Sequence, residues 1–81
     1  MEGTIGETGT FGVMMEYEDV TVTWHKGSEN LENSDKYKIV KEGHWHRLEI
    51  RDLDQFDEGE YYARIAQSNR YTKLLLTKTY K

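Results

Sequence analysis

The sequence predicts an all-β fold, a sandwich or a barrel, on three observations. Apolar residues alternate with polar ones through most of the chain. Clusters of Gly, Asn, Asp and Ser interrupt that alternation at short intervals. No segment holds a helical period over a useful length.

Each element follows from its own residues. Thr10 to Tyr17 reads as a strand with Phe11, Val13, Met15 and Tyr17 on one face. Glu18-Asp19 is a polar break. Val20 to Lys26 alternates cleanly, with Val20, Val22 and Trp24 inward. Gly27 to Asn30 has turn chemistry, and Leu31 to Asp35 reads as polar and irregular. Tyr37 to Lys41 is a short strand closed by Glu42-Gly43. His44 to Arg51 is another, with Leu48 and Ile50 inward. Asp52 to Gly59 is a connection carrying Leu53 and Phe56. Glu60 to Ala66 puts Tyr61, Ala63 and Ile65 on one face. Ser68-Asn69 suits a hairpin turn, and Tyr71 to Lys78 is the last strand, with Leu74 and Leu76 inward. The total is roughly six or seven short strands.

The 81 residues amount to a single domain spanning 1–81. A chain of this size buries about 60% of the surface its unfolded form exposes, so its core is small. Aromatic residues make up 12% of the chain, enough to build such a core and to argue against disorder. The 11 basic and 15 acidic residues are interspersed, for a net charge of −4. No basic stripe exists to neutralise phosphates, so no nucleic-acid partner is expected. There is no cysteine, no apolar run of bilayer length and no signal-peptide pattern. The expectation is a cytoplasmic protein with no membrane partner. Met1-Glu2-Gly3 also fits the start of a piece cut from a longer protein.

Asp57-Glu58-Gly59-Glu60-Tyr61-Tyr62-Ala63 resembles the D-x-G-x-Y-x-C signature of immunoglobulin domains. Gly6-Glu7-Thr8-Gly9-Thr10-Phe11-Gly12-Val13 is similar to the family's G-E-x-x-x-[FL]-x-C run. Val22-Thr23-Trp24-His25-Lys26-Gly27 is similar to its V-x-W-x-K-x-G. Ser34 to Ile39 and His46 to Ile50 resemble two further strands of the intermediate (I-set) subclass. The likeness covers about Gly6 to Leu76. Its style is that of the intracellular muscle proteins titin, twitchin, obscurin, myomesin and myosin-binding protein.

The resemblance implies a two-sheet, antiparallel, Greek-key immunoglobulin-like sandwich. Val13 and Ala63 stand at the two cysteine positions, so the sandwich lacks its core disulfide. The implied core is Val13, Trp24, Leu48, Tyr61 and Ala63, with Tyr61 as the corner residue bonding backbone at the turn. A disulfide closing about 50 residues would constrain the unfolded chain by a few kcal/mol, and packing around Trp24 must offset its loss. A basic residue entering the fourth strand pairs, in the family, with the Asp before the corner, which implies a structural Lys36–Asp57 ion pair. The first strand is short, and trimming of a strand from a longer protein would leave one sheet edge bare.

Catalysis has no foothold. There is no cysteine nucleophile, no G-x-S-x-G elbow and no Ser/His/Asp set, so the chain is read as a non-enzyme. No cofactor is expected, and the spaced glycines precede no helix that could cradle phosphate. His44 and His46 share a strand face, but His25 is the only other histidine and belongs to a different strand. His46 has the inward parity of Leu48, so a core-edge role is preferred to a metal. Glu16, Glu18 and Asp19 offer too few oxygen ligands for calcium.

Trp45 points outward by parity, with Arg47 and Glu49. Tyr71, Lys73 and Leu75 form the outward face of the last strand. These six are the candidate protein-binding residues. Together with the resemblance they imply a structural and protein-interaction module of a cytoskeletal or sarcomeric protein. Its partner would be another muscle or cytoskeletal protein, another immunoglobulin domain among the candidates, docked on a sheet face or an edge strand. The alternative is an extracellular adhesion or receptor domain. Against it stand the missing cysteines and the failure of Asn30, Asn33 and Asn69 to open an N-x-[ST] acceptor.

Overall fold

A computed structural model describes residues 1–81. Nine strands run in the order β1 (Glu2–Thr4), β2 (Gly9–Met14), β3 (Val22–Lys26), β4 (Glu29–Leu31), β5 (Tyr37–Glu42), β6 (Trp45–Ile50), β7 (Gly59–Ile65), β8 (Arg70–Leu76) and β9 (Lys78–Tyr80). A single turn of 3-10 helix, Gln55–Asp57, precedes β7. No helix is long and apolar enough to cross a membrane.

One sheet is ordered β2-β6-β5 and the other β4-β3-β7-β8, both antiparallel throughout. β1 pairs in parallel with β9, Gly3 opposite Thr79. Thr77 N–H donates to Met1 O at 2.9 Å, so this pairing runs on from the end of β8. A Cβ on Gly3 would stand 2.5 Å from Leu53 Cδ1, so glycine lets β1 close over that buried leucine.

The two sheets meet over Phe11, Leu48 and Ile50 from one side and Trp24, Leu31, Tyr61, Ala63 and Leu76 from the other, with Leu53 beside them. Trp24 is 1% exposed and lies directly across from Ala63 on the neighbouring strand. The indole therefore spreads over a residue with almost no side chain. Phe11 and Tyr61 rings tilt against each other at 5.2 Å.

Four expectations need correction. Val13, expected in the core, is partly buried and packs at its margin, because it pairs with His46 near the end of β2. Tyr17 is exposed, since β2 ends at Met14, Met15 N–H makes a last bond to His44 O at 2.8 Å, and the chain then leaves the sheet in a turn over residues 16–19. Leu31, read as irregular chain, closes β4 and is buried opposite Trp24. The short first strand does not leave a wholly bare edge, because β1 covers Lys78–Tyr80.

Candidate functional site

The turn before β7 is held by a cluster of side-chain hydrogen bonds. Asp54 caps the 3-10 turn by accepting the Phe56 N–H at 2.7 Å, and Asp57 Oδ2 accepts the Asp54 N–H at 2.9 Å. Lys36 Nζ donates to that same oxygen at 2.7 Å and to Asp52 O at 3.0 Å. The Tyr61 hydroxyl donates to Asp57 O at 2.6 Å, inside the core. Burial, and after it the neighbouring charges, hold the Tyr61 phenol far above its ordinary pKa. This arrangement is structural: Lys36, Asp54, Asp57 and Tyr61 all bond groups of the corner itself.

The outer face of the β2-β6-β5 sheet carries Trp45, Arg47 and Glu49 at alternating positions of its central strand. Trp45 is 48% exposed, and its indole lies over Gly12, which has no side chain to lift it. Met14, opposite Trp45 on β2, is exposed too. Arg47 is bonded to Glu42 on the neighbouring strand. His46, one residue along, points the other way: it is 4% exposed and its Nε2 has no partner. His44 Nδ1 lies 2.9 Å from Met15 O.

The outer face of the β4-β3-β7-β8 sheet carries Tyr71, Lys73 and Leu75, all exposed. Lys73 Nζ lies 2.9 Å from Glu60 Oε1, and the Tyr62 hydroxyl donates to the other Glu60 oxygen at 2.8 Å. That pairing keeps the Glu60 carboxyl below its usual pKa, through the Lys73 bond first and then the Tyr62 bond. Tyr62 and Tyr71 pack edge-to-face at 5.7 Å. Beside them a shallow cleft of about 550 Å³ runs from the Gly27-Ser28 turn to Asn69, with His25, Tyr62, Arg64 and Tyr71 between. Arg64 donates to Asn69 Oδ1, and Asn69 itself sits in the left-handed region at φ +56°.

β8 also has a free edge. Leu75 O and Thr77 N–H point away from β7, toward Met1. Backbone groups alternate sides along an antiparallel strand. The N–H and C=O groups of Tyr71 and Lys73 therefore point the same way, beyond the reach of β1.

The six residues proposed for protein contact thus fall on two opposite faces, and one flat partner cannot touch both. Met14, His25, Arg64 and Asn69 were not among the residues expected to meet a partner. Met14 and Arg64 carry an outward parity that marks them weakly. His25 and Asn69 join the cleft through the pairing of β3 with β7 and of β7 with β8, which no local pattern reveals.

The model of the Immunoglobulin I-set domain matches residues 1–74. Cardiac-type myosin-binding protein C of Mus musculus is 35% identical over 69 residues, covering 85% of this chain and 5% of that protein. Titin of Drosophila melanogaster is 35% identical over 65 residues, 79% of this chain. The chain therefore spans a very small part of these curated relatives. The crystal structure of titin domain I10 superposes with a TM-score of 0.87 at 29% identity, covering 98% of this chain and 88% of that one. The disulfide-free sandwich, its buried Trp24 and its Tyr61 corner agree with these likenesses, and the chain belongs to the immunoglobulin I-set domain family.

Proposed function

We propose that this chain is a non-catalytic structural and protein-interaction module of a sarcomeric or cytoskeletal protein in the cytoplasm. It docks a protein partner along the β8 edge. Likeness to domains of myosin-binding protein C and titin supports the muscle setting. The observation that carries the docking mode is the free backbone edge at Tyr71 and Lys73, flanked by the exposed side chains of Tyr71, Lys73 and Leu75. A partner strand added there would gain main-chain hydrogen bonds, with side chains setting register.

The test is Lys73→Pro beside Lys73→Ala, each checked for folding by thermal melting and for capture of muscle proteins. Proline removes the outward N–H and abolishes capture, whereas alanine keeps most of it. A folded proline variant that captures as well as the parent excludes edge docking.

A second reading has its own observation. Trp45 and Met14 face each other across β2 and β6, both exposed, over Gly12. Exposed tryptophan is a common centre of binding energy. If this face docks the partner, Trp45→Ala abolishes capture and Lys73→Pro does not.

A further inference from the structure

We propose that the cleft over β3, β7 and β8 binds an extended acidic segment of a partner protein, one of whose carboxylates seats on Arg64. The inference rests on the reading of the chain as a protein-interaction module and names the chemistry of its partner.

Charge carries the argument. The chain has a net charge of −4, yet no carboxylate lines this cleft. The nearest acid on the same face of β7, Glu60, is already taken by Lys73 at 2.9 Å and by the Tyr62 hydroxyl at 2.8 Å. Arg64 takes part in none of the three ion pairs of the chain. Its partner is the Asn69 amide, which is neutral. The amide orients the guanidinium without cancelling its charge, leaving N–H donors free for a bidentate carboxylate.

Shape agrees. Tyr62 and Tyr71, edge-to-face at 5.7 Å, give the cleft an apolar wall against which the body of a peptide can lie. At its other end a Cβ on Gly27 would meet nothing within 4 Å, so space is open beyond the turn. The cleft is shallow and elongated, lined from the β3–β4 turn across β7 to the β7–β8 turn, which suits an extended chain better than a compact ligand.

Fluorescence anisotropy with labelled poly-glutamate, and with poly-lysine of equal length, tests this. Poly-glutamate binds and poly-lysine does not. Arg64→Gln weakens binding about tenfold or more, the scale of one charge-assisted bidentate contact. Tyr71→Ala weakens it too. Lys38→Gln removes the same charge from the opposite outer face and leaves binding unchanged. All three positions are exposed, so melting temperatures stay near the parent value. Equal losses in Arg64→Gln and Lys38→Gln, or no poly-glutamate binding, overturn the proposal. Self-association that Arg64→Gln disrupts, without poly-glutamate binding, assigns the face to a second copy and overturns it as well. Lys73→Pro compared with Lys73→Ala separates this idea from edge docking: both lose the ammonium paired with Glu60, so they bind poly-glutamate equally, while only the proline variant loses the outward N–H and with it strand pairing.

Discussion

The Lys36 ammonium lies 2.7 Å from the Asp57 carboxylate, tying the entry of β5 to the turn before β7. The lysine side chain is one-third exposed and the aspartate nearly buried. Such a pair stands between a surface bridge and a buried one. Lys36→Ala leaves a largely buried carboxylate with one backbone partner. The expected loss is about 1–2 kcal/mol in urea unfolding. Asp57→Ala removes the acceptor for both Lys36 and the Asp54 N–H, and the expected loss is larger, about 2–3 kcal/mol. Equal stability of all three proteins would show that the corner holds without this carboxylate.

Tyr61→Phe keeps the ring against Phe11 and deletes the hydroxyl that donates to Asp57 O. The destabilisation should be about 1–2 kcal/mol with no change in denaturant slope. A neutral substitution would mean the hydroxyl adds nothing beyond what water supplies to the open turn.

His46 makes stability pH-dependent. Burial, and after it the Lys41 charge, lowers its pKa in the folded chain. In the unfolded chain the imidazole takes up a proton near pH 6.5. Its contribution is therefore fully present above about pH 6.5 and is lost as pH falls toward the lower folded value. His46→Leu removes an unpartnered buried nitrogen, so at pH 7 it should match the parent within about 1 kcal/mol. Its unfolding midpoint should fall less steeply on acidification. Parallel pH profiles for the two proteins would acquit His46.

Leu53 is the buried seat on which β1 rests, with its Cδ1 where a Gly3 side chain would begin. Leu53→Ala should lose about 2–4 kcal/mol by transfer and cavity terms together. Gly3→Ala should lose about 1–3 kcal/mol by crowding the same leucine. Hydrogen exchange checks the location: both variants should speed exchange at Thr77, whose N–H bonds Met1 O, more than at Thr23 in β3.

Local chemistry explains what could be read in advance. Side chains alternate across a strand whatever it pairs with, so the outward parity of Trp45, Arg47 and Glu49 and the inward parity of Leu48 and Ile50 were legible. So was the corner, because Asp57-Glu58-Gly59-Glu60-Tyr61 resembles the family's D-x-G-x-Y signature, whose Tyr bonds backbone at the turn. The same rule failed where alternation stops. Tyr17 lies past the end of β2. For the connection over residues 52–59 the rule assigns no facing, and there Leu53 is buried while Phe56, in the 3-10 turn, is 77% exposed.

The sequence by itself determined the longer strands, most of the turns between them and the facing of residues within those strands, because these depend on neighbours along the chain. Only the tertiary structure decided which strands meet. Glu2–Thr4 against Lys78–Tyr80 and Glu29–Leu31 against β3 are three-residue pairings with no periodic signature. They form because burial of Leu53 and Trp24 rewards closing the sheets over them, and that reward comes from contacts distant in the sequence. The free edge of β8 and the cleft around Arg64 are consequences of that closure.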